Sequence, residues 1–165
     1  MRATASPPVR IAPVAAGWAA AVTGVAVAGG IGSDTSSDWY RDLEKPSWQP
    51  PGAVFGPVWT ILYVLIAIAA TLAVRDVPGV RRRIVAGLFA ANLALNVAWT
   101  WIFFTAKRPR WSLAEILLLE ASSLGLIRRS ARVDGAAAGM LVPYAAWTAF
   151  ATVLNAAIVN RNPQA

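Results

Sequence analysis

Charged residues in this chain fall into clusters separated by long uncharged stretches, and this spacing limits the fold more than any motif does. Arg10 to Asp34 encloses 23 uncharged residues, Lys45 to Arg75 encloses 29, Arg83 to Lys107 encloses 23 and Asp134 to Arg161 encloses 26. A helix crossing the hydrocarbon core of a bilayer needs about 20 apolar residues. Four segments meet that length. A fifth, Trp111–Ile127, has 17 residues and contains Glu115 and Glu120, which puts it at the short end of the range. Lipid offers the backbone no hydrogen-bond partner, so such segments must satisfy themselves as helices. The alternating segments of roughly ten residues that build a membrane β-barrel do not occur. The prediction is an all-α integral membrane protein, a five-transmembrane-helix bundle with helices at about 11–32, 53–74, 84–105, 111–128 and 136–160. A tail at 1–10, a long loop at 33–52 and a tail at 161–165 complete one domain.

Composition narrows the chemistry. The chain is 57% hydrophobic and only 14% charged, against about 25% charge in an average soluble domain. It has no Cys and no His. That removes thiolate nucleophiles, most zinc sites, haem ligation by either residue and any Ser-His-Asp triad, and no metal site is expected.

The net charge of +7 reads as topology rather than as a nucleic-acid footprint. Nine basic residues (Arg2, Arg10, Arg75, Arg81, Arg82, Arg83, Arg128, Arg129 and Arg132) fall on one side of the predicted bundle. Six (Arg41, Lys45, Lys107, Arg108, Arg110 and Arg161) fall on the other. The positive-inside rule then places the N-terminus in the cytoplasm and the protein in a plasma membrane. The basic start and small residues of Met1–Ala28 also resemble a cleavable signal peptide, but 23 uncharged residues exceed the usual apolar length of one.

The loop after the first span holds Trp39, Tyr40 and Trp48 beside charged residues, and Pro46, Pro50, Pro51 and Gly52 stop any helix there. Trp48-Gln49-Pro50-Pro51 reads as a stiff cap over a cavity, whereas Trp39 alone fits an ordinary interfacial aromatic belt. In the third span Asn92, Asn96, Trp99 and Phe103 recur at four, three and four, which places them on one face. Amides in hydrocarbon need partners and should face the bundle interior, either as cross-helix glue or as the floor of a ligand pocket. The fifth span adds Tyr144, Trp147, Phe150 and Asn155. Trp147 sits near mid-bilayer, where a belt tryptophan has no place.

The inward candidates are Trp59, Asn92, Asn96, Trp99, Trp147, Phe150 and Asn155. They make an aromatic slot with a few amides and no acid–base group, which suits a planar, apolar, conjugated ligand. Glu115 and Glu120 lie about 140° apart around their helix and do not form a pair. Small residues recur every fourth position at Ala16, Ala20, Gly24, Ala28, Gly32 and at Ala86, Ala90, Ala94, Ala98, so either row fits a close helix contact or a dimer seam.

Four stretches resemble the translocator protein family, the tryptophan-rich sensory proteins (TspO/MBR, peripheral benzodiazepine receptors). They are Trp39–Gly52, Val54–Tyr63, Asn92–Phe104 and Pro143–Asn155, in family order. The resemblance implies a five-helix bundle, usually a homodimer with its seam on the third helix. It also implies binding of tetrapyrroles such as protoporphyrin IX and, by extension, haem. The pocket residues it implies are Trp48, Trp59, Asn92, Asn96, Trp99, Trp147 and Phe150, beneath the loop after the first helix. Some bacterial relatives degrade protoporphyrin in light and oxygen with two facing tryptophans, and the matching positions here are Trp59 and Trp147. A transporter of small apolar solutes is a third reading, against which the lack of an internal repeat counts. After Asn155 the chain reads Ala156-Ala157-Ile158-Val159-Asn160-Arg161. The Tyr of the cholesterol-recognition pattern is missing, so high-affinity cholesterol binding is not expected.

Overall fold

A computed structural model describes residues 10–75 and 77–164. Most of the predicted N-terminal tail (residues 1–9), Asp76 and Ala165 at the end of the C-terminal tail lie outside the described residues. The described chain is helical throughout: α1 (Ile11–Gly32), α2 (Asp38–Asp42), α3 (Gly52–Arg75), α4 (Gly79–Thr100), α5 (Pro109–Ser130) and α6 (Gly135–Arg161). A π-helical turn, Trp101–Thr105, extends α4. Four of the long helices (α1, α3, α4 with its π turn, and α6) are long and apolar enough to cross a membrane. The fifth, α5, matches them in length but carries Glu115 and Glu120 in mid-helix.

Every long helix except α1 runs past its uncharged stretch into flanking charge. α4 begins at Gly79, five residues before the predicted start, and takes Arg81–Arg83 into its first turns. The reason is local. Pro78 is extended and Gly79 has φ 58°, a left-handed conformation that glycine adopts freely, so the turn falls there and the arginines follow it. The N-terminus of α6 is fixed by Asp134, whose Oδ1 accepts from the Ala136 and Ala137 amides. Its Oδ2 pairs with Arg75 at 3.1 Å, which ties the end of α3 to the start of α6. Pro57 and Pro143 both lie within helices that continue past them.

Small side chains let the helices approach closely at the centre. Ala69, Ala70 and Ala73 of α3 are fully buried against Phe89 and Leu93 of α4 and Leu141 and Tyr144 of α6. α5 packs mainly on α6 and α4, burying Ile116, Leu119 and Leu126. The outer surface is apolar as well, with Ile61, Val64, Leu117, Leu118 and Val153 exposed. Apolar residues on both the inner and outer faces are what a bundle dissolved in lipid requires.

Of the long helices, α1 buries the fewest residues, Val22 and Gly32. Trp18 leans on Phe89 with ring centroids 5.7 Å apart. At its far end Gly32 lies flat against the Trp101 indole, and a Cβ there would come within 2.9 Å of Nε1. That indole donates to the Ala28 carbonyl at 3.1 Å, and Thr105 Oγ1 donates to the Gly32 carbonyl at 3.3 Å. The π turn of α4 thus forms the seat for the end of α1.

Candidate functional site

Between α3, α6 and the loop after α1 lies a run of aromatic rings. On α3, Phe55, Trp59 and Tyr63 recur every fourth residue and therefore share one face. They meet α6 ring to ring: Phe55 on Trp147 at 5.6 Å and Trp59 on Tyr144 at 6.3 Å, both edge-on. Trp59 also lies against Tyr63 at 5.4 Å. Along α6, Trp147 and Phe150 are 5.2 Å apart. Phe150 in turn receives Trp48 from the loop, edge-on at 5.9 Å. Trp48 keeps 46% of its surface exposed, so the run is closed by a side chain that still faces outward.

Trp48, Phe150 and Trp147 are therefore linked in series by ring contacts, and Trp59 forms a second group with Tyr63 and Tyr144 on the same two helices. Asn96 lies beneath. Tyr63 Oη donates to its Oδ1 at 2.9 Å and its Nδ2 donates to Tyr144 Oη at 3.4 Å. The amide thus fixes the two phenols that flank Trp59. Asn92 is placed differently. It is buried facing α5, and its Nδ2 donates to Ser122 and Ser123 at 3.1 Å each. Those bonds match the cross-helix role open to these amides. Trp99 lies on the α4–α6 seam, stacked on Phe103 at 5.3 Å, with its Nε1 donating to Asn155 Oδ1 at 3.0 Å. Asn155 also accepts from Ser112 Oγ at 2.9 Å and donates to the Pro109 carbonyl at 3.0 Å. One buried amide thereby joins α4, α5 and α6.

The loop is a folded lid. Ser37 caps α2 by accepting from the Tyr40 amide, and the Lys45 ammonium donates to the Tyr40, Arg41 and Leu43 carbonyls at its far end. Burial lowers the Lys45 pKa from the ordinary lysine value, against the opposing charge of Asp42. Trp39 and Tyr40 pack edge-on to Phe103, and Tyr40 also meets Phe104 at 5.2 Å. Trp39 is therefore part of the lid's seat. Leu43 is buried with Phe103, Leu154 and Ile158. Asn162, just past α6, holds the lid by two bonds: it accepts from the Glu44 amide at 3.0 Å and donates to the Glu44 carbonyl at 2.9 Å.

Phe55, Tyr63 and Tyr144 were missing from the inward set drawn from sequence. The spacing of four through Trp59 was the available signal for the first two. Of the acids, Glu120 accepts a hydrogen bond from Thr148 on α6, whereas both carboxyl oxygens of Glu115 are buried with no hydrogen-bond partner among the described residues. No group of three or more acidic, His or Cys side chains suited to a metal ion occurs among the described residues.

Fold and site together define a class: a multi-pass helical membrane protein whose aromatic residues converge beneath a loop lid. The TspO/MBR family model matches residues 15–161. Human translocator protein is 40% identical over 119 residues, covering 71% of this chain and 70% of its own. The tryptophan-rich protein TspO of Chlorobaculum tepidum is 37% identical over 142 residues, 84% and 89% of the two chains. The tryptophan-rich sensory protein of Cereibacter sphaeroides is 36% identical over 118 residues, 72% and 73%. The chain belongs to the TspO/MBR family.

Proposed function

We propose that this protein binds tetrapyrroles, with protoporphyrin IX as the reference ligand and haem as a related one, between the lid and the α3–α6 aromatic run, and acts as a membrane sensor or scavenger of them. The observation that carries this reading is the ring sequence Trp48–Phe150–Trp147–Phe55 with Trp59 beside it. A flat conjugated ligand exchanges one set of ring contacts for another at little cost. Trp99 and Asn92 stand behind this wall and hold α4 in place. In this reading α5 is the fifth span, its acids facing neighbouring helices, and the N-terminus is cytoplasmic in a bacterial plasma membrane. The protein is a homodimer, and the exposed Ala90 and Ala94 of α4 support a seam on that helix.

The test is a titration of detergent-purified protein with protoporphyrin IX in the dark, followed by illumination, for wild type and Trp147→Phe. Saturable quenching of tryptophan fluorescence, weakened by the substitution, supports the site. Linear quenching that is identical in both proteins refutes it. A second reading, light- and oxygen-dependent porphyrin degradation with Trp59 and Trp147 as the redox-active pair, draws on two indoles lining one slot. It requires the Soret band to bleach on illumination, and to stop bleaching in Trp147→Phe.

A further inference from the structure

The end of the bundle where α5 meets α6 carries a feature that the aromatic slot does not use. A cavity of about 400 Å³ opens between α4 and α5. Its walls are Leu88 of α4 and Ser122, Gly125 and Leu126 of α5. Arg128, Arg129 and Arg132 line its other end. From Ser122 to Arg129 the α5 axis advances about 10 Å, so the groove runs from the helix end well into the span. Among the described residues, none of the three guanidinium groups forms an ion pair or hydrogen bond. Arg81, Arg82 and Arg83, at the start of α4, add positive charge to the same end. Ser122 Oγ accepts from Asn92 and donates to none of the described residues. Gly125 keeps the groove open, since a Cβ built there meets nothing within 4 Å.

We propose that this groove is a binding site for an anionic phospholipid, with the headgroup phosphate on Arg128, Arg129 and Arg132 and the start of an acyl chain along Leu88, Gly125 and Leu126. Guanidinium groups match phosphate oxygens in forked hydrogen bonds, and basic pockets between spanning helices are places where acidic headgroups lodge. A free phosphate would need only the arginine end. The apolar wall running down into the span calls for a molecule that is anionic at one end and apolar at the other. The inference is independent of the tetrapyrrole reading.

Native mass spectrometry of the detergent-solubilised full chain, titrated with phosphatidylglycerol, phosphatidylcholine or inorganic phosphate, tests it. One phosphatidylglycerol per chain is expected to survive delipidation, with phosphatidylcholine and phosphate failing to compete. Replacing Arg128, Arg129 and Arg132 together by Gln should weaken retention on the order of a hundredfold, from about fivefold per arginine. Replacing Arg81, Arg82 and Arg83 by Gln removes equal charge outside the groove and should leave retention within about twofold. Gly125→Leu fills the groove without altering charge and should abolish retention while size-exclusion behaviour and helical signal stay those of wild type. Equal losses from the two arginine sets, unchanged retention in Gly125→Leu, or displacement by inorganic phosphate would each overturn the proposal.

Discussion

The α4–α5–α6 seam and the α3–α6–lid slot share α6 and are held together in opposite ways. The seam is polar: Asn92 on Ser122 and Ser123, Asn155 on Trp99, Ser112 and Pro109, and Glu120 on Thr148. Each bond has one geometry, so the seam fixes how three helices sit. The slot is joined across by ring contacts at 5.6–6.3 Å, which tolerate exchange and rotation. Asn96 is the point of contact between the two, since its hydrogen bonds hold Tyr63 and Tyr144 from below. The difference teaches a division of labour: directional bonds where the frame must not move, and non-directional ones where the proposed flat ligand would enter.

The sharpest way to break this contrast is Asn155→Ala. It strands the Trp99 Nε1–H inside the bundle and removes one partner each from the Pro109 carbonyl and Ser112, which keep their bond to one another at 2.9 Å. A loss of about 2 kcal/mol in unfolding free energy is expected, from three interhelical bonds of modest individual strength. Denaturant unfolding in detergent reads it directly, and a loss no greater than that of a slot substitution would reverse the comparison. Gly32→Ala comes next. The added methyl pushes on the Trp101 indole and weakens its bond to Ala28, at a cost of about 1–2 kcal/mol. Loss of the Trp101 emission shift characteristic of its hydrogen bond should accompany the drop.

In the slot the order of effects changes. Trp147→Phe should alter unfolding by less than about 0.5 kcal/mol, because the ring still meets Phe55 and Phe150, yet lower protoporphyrin affinity about tenfold, or about 1.4 kcal/mol. If stability falls as far as affinity, the slot is ordinary packing. Asn162→Ala is the mildest. It frees the lid at Glu44, and stability should change by about 0.5–1 kcal/mol. Hydrogen exchange at the Glu44 amide should rise and ligand dissociation quicken. An unchanged dissociation rate would mean that the lid does not gate the slot.

What the sequence could show divides along the same line. Gaps between charges are a property of the linear chain, so α1, α3, α4 and α6 are legible without any tertiary knowledge. α5 is harder because Glu120 answers to Thr148, 28 residues away, and nothing local announces that pairing. The amides of α4 share a face in sequence. Only the packed bundle separates Asn92, turned toward α5, from Asn96, placed under the slot. The Phe55–Trp59–Tyr63 row was readable from its spacing alone. Helix α2 was not, since five residues are held by a serine cap and a returning lysine rather than by any pattern of their own.

The Glu44–Asn162 clamp joins residues 118 positions apart. A ribosome feeding this chain into a bilayer delivers the lid early and its anchor only after α6 has been made. The aromatic slot therefore stays unlatched through most of synthesis and insertion, and sealing is among the last steps of assembly. On the proposed reading, a ligand present at the translocon would meet an open site, whereas one arriving afterwards would first have to undo a latch that joins the two ends of the fold.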